Sequence, residues 1–141
     1  MHAVLDSNVF IFSARSKEMV FTEVIKLAGV QFQCSIPQMV LTEVVERLRN
    51  LEGKQFASFA RYLLQSLPIH IIADELIPEE LMVKYKQRGA KSGDATIAAF
   101  VEWVKADYLV TENSDFLQEL PLDFKVMKTT EFKKVLLGER V

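Results

Sequence analysis

Ala3-Val4-Leu5 is an apolar run too short for a buried helix, and it stops on a carboxylate, Asp6, followed by Ser7 and Asn8. Short apolar runs of this kind read as buried strands. Asp, Ser and Asn start helices, because their side-chain oxygens accept the unpaired N–H groups of a first turn. The same alternation recurs along the chain. Residues 2–6, 31–36, 69–72, 106–110 and 123–127 read as strands. Residues 8–28 read as one or two helices, and 38–51, 54–66, 78–88, 93–105 and 129–137 as further helices. Pro37 suits the first position of the helix after it, Gly53 and Gly89 are stop signals, and Thr129 or Thr130 can cap the last helix. Strands alternating with helices give an α/β fold, here a five-stranded, mainly parallel sheet between helices. Such sheets bind ligands in the crevice beyond the C-terminal ends of their strands. Asp6 points there.

The chain has 141 residues, half of them hydrophobic, which suits one domain over 1–141 with a substantial core. No apolar stretch spans a bilayer, and the N-terminus carries no secretion signal, so no membrane role is expected. The single cysteine, Cys34, lies in an apolar segment and reads as a small buried hydrophobe. With no disulfide within the chain, the cytoplasm is the expected compartment. The formal charge is −2, which excludes a basic protein that coats nucleic acid. Two histidines and one cysteine are too few for a structural zinc site.

Three further acids join Asp6. Val40, Leu41, Val44, Leu48 and Leu51 form the apolar stripe of one helix; Glu46 points away from it, while Glu43 falls on its flank with Arg47 one turn on. An i,i+4 pair between Glu43 and Arg47 is the simplest role for both. Asp94 shares a face with Ile97, Ala98, Val101 and Val104, so it heads a stripe that should be buried. A lone buried carboxylate is costly unless paired or bound to a metal. Asp115 and Asn113 follow the strand ending at Val110-Thr111, on the sheet edge that carries Asp6. Asp107 and Asp123 precede their strands and belong to the opposite edge. Converging carboxylates make a site for a hard divalent cation. Taken singly, Asp6 and Asp115 would pass for helix-cap or turn residues.

Four segments together resemble the PIN-domain ribonucleases, of the kind found as toxins in toxin–antitoxin pairs. They are Val4-Leu5-Asp6-Ser7-Asn8-Val9, Leu41-Thr42-Glu43-Val44-Val45, Gly93-Asp94-Ala95-Thr96-Ile97-Ala98-Ala99 and Leu109-Val110-Thr111-Glu112-Asn113-Ser114-Asp115-Phe116. The resemblance implies an acidic pocket binding Mg²⁺ or Mn²⁺ and cleavage of single-stranded RNA. It implies that Asp6, Glu43, Asp94 and Asp115 are the catalytic and metal-binding acids. Asn113 departs from it, standing where an aspartate is common. Asn8 and Thr111, with Asn113, are expected to orient the carboxylates. Lys84, Lys86, Arg88 and Lys91 form a basic cluster expected to meet RNA phosphates, although each alone suits a solvated face. Arg15 and Lys17 are weaker candidates. A small antitoxin protein is the implied partner. Phe56, Phe59, Tyr62 and Leu63 on the 54–66 helix suit that contact, a homodimer or ordinary core packing. The rival readings are a PIN scaffold that binds RNA or protein without cutting, a metal-free ribonuclease using His2 and His70, and a phosphotransferase with Asp6 as nucleophile.

Overall fold

The computed structural model describes residues 1–138. Its strands are β1 (His2–Leu5), β2 (Gln33–Pro37), β3 (His70–Ile72), β4 (Tyr108–Val110) and β5 (Lys125–Met127). Its α-helices are α1 (Ser7–Arg15), α2 (Val20–Leu27), α3 (Gln38–Glu52), α4 (Lys54–Ser66), α5 (Glu79–Gln87), α6 (Ser92–Trp103) and α7 (Thr129–Leu136). A 3₁₀ turn covers Asp74–Leu76, and a single π-helical turn covers Asp115–Glu119. The five strands form one sheet in the order β3-β2-β1-β4-β5, and every pairing is parallel. The expected α/β fold with a five-stranded sheet between helices is thus present, with the sheet wholly parallel.

β1 occupies the centre, and Ala3, Val4 and Leu5 are fully buried because helices cover both faces. Chain progression reverses across β1: β2 and β3 lie to one side, β4 and β5 to the other. The gap between β1 and β4 is therefore the topological switch point, where the loops leaving adjacent strands diverge and open a crevice. Asp6 continues the ladder into it, its N–H donating to the Val110 carbonyl at 3.0 Å. α6 is apolar nearly all round, and Ala95, Ile97, Ala98, Ala99, Phe100 and Val101 are all buried. No helix among the described residues is long and apolar enough to cross a membrane.

The choice between one and two helices over 8–28 is settled, and two local expectations change. The 8–28 segment is two helices, because Ser16 takes an extended backbone and its hydroxyl accepts from the Glu18 N–H at 3.0 Å. Pro37 closes β2 instead of opening α3; its ring-fixed φ of −73° suits an extended residue as well as a helical one, and its ψ is 153°. The N-terminus of α7 is satisfied from outside. Glu112 accepts from the Thr129 N–H at 2.9 Å and from its hydroxyl at 3.0 Å, so neither Thr129 nor Thr130 is the cap.

α7 is held down by Phe132, fully buried and edge-on to Phe32 at 4.9 Å and Tyr108 at 5.9 Å. Truncating a buried phenylalanine loses its transfer energy and leaves a cavity. Phe132→Ala is expected to cost about 3–5 kcal/mol in chemical denaturation; a loss under about 1 kcal/mol would show that α7 is not part of the core.

Candidate functional site

Asp6 is only 3% exposed, yet both its oxygens are engaged. Oδ1 accepts from the Ser7 N–H at 2.7 Å, which caps α1. Oδ2 accepts from the Thr111 hydroxyl at 2.7 Å, and the Asn8 amide lies 3.4 Å away. The same side chain caps a helix and lines a cavity. Thr111 is fully buried, and its hydroxyl also accepts from the Asn113 N–H at 3.0 Å and from the Asn8 amide at 3.3 Å. One donor and two acceptors are all a hydroxyl has. Thr111 is therefore saturated, and it locks the end of β1 to the turn after β4. Asn8 closes the network by accepting from the Glu112 N–H at 3.0 Å.

Glu43 reaches the same place from α3. Its Oε1 accepts from the Ser7 hydroxyl at 2.8 Å. Asp94 arrives from the first turn of α6, and the Asn113 amide lies 3.4 Å from its Oδ1. Asn113 in turn accepts from the Asp115 N–H at 3.0 Å. An aspartate at 113 would offer Asp94 no donor at neutral pH, so the amide eases a crowd of charges there. Asp6, Ser7, Asn8, Glu43, Arg47, Gly93, Asp94, Ile97 and Asn113 line one cavity of about 260 Å³. Asp115 stands outside that lining at the start of the π-helical turn, 3.9 Å from the Lys91 ammonium.

The basic cluster separates. Lys84 bridges Glu102 at 2.5 Å and Asp123 at 2.6 Å, and Arg88 meets Asp123 at 3.1 Å. Arg88 first, then Lys84, holds the Asp123 carboxyl down at about 2. Lys86 is exposed, and none of the three lines the cavity. Only Lys91 approaches the acids. Conversely, Ser7 and Arg47 line the cavity without having been singled out as site residues. Ser7 looked like a helix starter, and the side chain it would meet from α3 is not visible in local sequence.

Burial drives the Asp6 carboxyl up to about 6 from its ordinary 3.8. The Thr111 and Ser7 hydrogen bonds pull the other way, and the Glu43 and Asp94 charges add to the rise. Asp94 is also raised, by burial first and then by the Asp115 charge, with Lys91 opposing. With three carboxylates and one base, Arg47, in its lining, the pocket is short of positive charge. Among the described residues, no three His, Cys, Asp or Glu side chains are gathered tightly enough to hold a metal by themselves. That arrangement still fits Mg²⁺, which uses one or two carboxylates and keeps several waters.

A sequence model of the PIN domain matches residues 3–119, and the chain belongs to that family. No curated protein matches it. Among solved structures it resembles VapBC2 from Rickettsia felis, bound to a DNA fragment from its promoter, at 19% identity and a TM-score of 0.70, covering 91% of this chain and 98% of that one. A toxin–antitoxin complex from Klebsiella pneumoniae matches at 20% identity and TM-score 0.65, over 90% and 97% of the two chains. VapC20 from Mycobacterium tuberculosis, a toxin that cleaves the sarcin–ricin loop, matches at 14% identity and TM-score 0.61, over 84% and 96%. At these identities the shared property is the fold.

A carboxyl raised on folding makes the native state bind a proton that the unfolded chain releases. The resulting penalty is absent below about pH 4, grows between the unfolded and folded values, and is complete above the folded value of about 6. Asp6→Asn keeps an acceptor for the Ser7 N–H but turns its NH2 toward the Thr111 and Asn8 donors, so the pH dependence and not the absolute stability isolates the charge. Between about pH 4 and pH 7.5 the stability of the variant relative to the metal-free wild type should shift in the variant's favour by about 1–3 kcal/mol in urea unfolding. A difference that does not change with pH would contradict this electrostatic account.

Proposed function

We propose that this PIN-domain chain is a divalent-metal-dependent endoribonuclease that cuts single-stranded RNA, and the toxin of a toxin–antitoxin pair. The observation that carries the reading is the convergence of Asp6, Glu43 and Asp94 on one cavity at the switch point, with Asp6 buried and raised. A cluster serving only to cap helices would sit in solvent and would not be charged at such cost. Toxin–antitoxin assemblies and an RNA-cleaving toxin among the structural neighbours support the class of reaction.

Asp6 and Asp94 would hold Mg²⁺ or Mn²⁺, with Glu43 binding directly or through water and Asp115 at the outer edge. Bound there, the ion would supply Lewis-acid charge for the phosphate and acidify water for the attack on phosphorus. The chain's own part is orientation and exclusion. Thr111 and Ser7 fix the Asp6 plane, Ser7 fixes Glu43, and Asn113 steadies Asp94. Such supporting hydrogen bonds commonly matter ten- to a hundredfold in metal affinity or activity.

An apolar groove supports the partner half of the reading. Phe10, Val44 and Leu48 line a cavity of about 440 Å³ together with Phe56, Phe59 and Leu63 of α4. Phe59 is 59% exposed and Tyr62 68% exposed, more than core packing requires. An apolar segment of an antitoxin is the proposed occupant; a second copy of the chain is the alternative. The non-cutting scaffold keeps one argument, the neutral Asn113 beside Asp94.

The deciding assay is cleavage of a mixed single-stranded RNA with Mg²⁺ or Mn²⁺ and with EDTA. Metal-dependent cutting is expected, reduced at least about 100-fold in Asp6→Asn and Asp94→Asn. Thr111→Val is expected to lose about 10- to 100-fold while staying folded. Absence of cutting by the wild type, with RNA still bound, would favour the scaffold.

A further inference from the structure

Arg47 has lost the partner that its own helix offers it. Glu43 lies one turn earlier on α3, the spacing at which an acid and a base pair on a helix surface. In the fold the Glu43 carboxylate turns to the Ser7 hydroxyl instead, at 2.8 Å. Among the described residues, no carboxylate lies within ion-pair distance of Arg47. Other exposed bases, Arg49 and Arg61 among them, also lack one. Yet Arg47 lines the acidic cavity with Asp6, Glu43 and Asp94. It is the one basic residue in that lining.

A guanidinium carries five N–H donors in a planar fork that matches a phosphate and cannot be deprotonated at neutral pH. Placed on the wall of a cavity rich in carboxylates, it draws an anionic chain toward a place that otherwise repels it. α6 contributes Gly93 and Asp94 to the same lining, and Lys91, just before that helix, lies 3.9 Å from Asp115. A strand laid between α3 and α6 would pass Arg47 before or after meeting the acids.

We propose that Arg47 is a phosphate-binding residue: it grips a phosphodiester of the single-stranded RNA next to the one that is cut, and so positions the strand. This rests on the ribonuclease reading and assigns it a substrate contact. The contact is held equally in the bound substrate and in the transition state. It therefore acts on KM more than on kcat.

The test compares wild type, Arg47→Ala, Arg47→Lys and Arg49→Ala. Arg49 is an exposed base on the same helix, about 200° round from Arg47 and outside the cavity lining. Binding of a short fluorescein-labelled RNA is followed by anisotropy with Ca²⁺, and cleavage is followed with Mn²⁺. Arg47→Ala is expected to bind about tenfold more weakly at low salt and to flatten the salt dependence by about 0.7 in log–log slope, the share of one phosphate contact on a single strand. KM should rise with kcat nearly unchanged, Arg47→Lys should recover only part, and Arg49→Ala should match wild type. If wild type cuts and Arg47→Ala binds and cuts as well as Arg49→Ala, the assignment is overturned and the nuclease reading stands. If wild type neither binds nor cuts RNA, the reading fails and the assignment with it. Binding without cutting, weakened in Arg47→Ala, would uphold the contact and overturn only the chemistry.

Discussion

The hydroxyl of Thr111 donating to Asp6 is the contact on which the site depends. It joins the last residue of the β1 ladder to the first residue after β4, across the point where the strand order reverses. An open parallel sheet leaves a crevice there because the two loops must part. Without the bridge, the buried Asp6 Oδ2 would keep only the longer contact to the Asn8 amide, and the β4 turn would lose the anchor for Asn113. The other acids are linked to this pair by hydrogen bonds. Ser7 follows Asp6 into α1 and reaches Glu43; Asn113 follows Thr111 and reaches both Asp94 and Asp115.

The network satisfies hydrogen bonds but leaves charge unbalanced. Asp6 is raised chiefly by burial, and the hydrogen bonds offset that without cancelling it. Sites that must bind a cation commonly carry such a deficit, since a pocket neutralised by its own lysines would have no affinity left for the ion. Here the bases are kept at a distance. Lys84 and Arg88 are tied to Asp123 at the far end of the sheet, Lys91 stays at the rim, and Arg47 alone stands in the wall.

Much of this was legible in the order of residues. Strand and helix periods gave the α/β alternation, and the position of each acid after or before its strand separated Asp6 and Asp115 from Asp107 and Asp123. The stripe headed by Asp94 was readable because helical spacing is local. What was not legible depends on contacts between distant segments. Nothing near Thr129 announces that Glu112 will cap its helix, and nothing near Lys84 announces Asp123. Pro37 misled because its φ serves a strand end and a helix start equally well. The Glu43–Arg47 spacing suggested a pair that Ser7, arriving from another element, takes apart.

The central claim is that the deficit in this pocket is filled by a divalent cation, and thermal unfolding measures it without any assumption about substrate. Ion bound only by the native state stabilises it by linkage, so millimolar Mg²⁺ should raise the midpoint of the wild type by several degrees. The rise should be abolished in Asp94→Asn, which leaves the core untouched. An unchanged wild-type midpoint, or an equal rise in the variant, would contradict a metal site at these carboxylates.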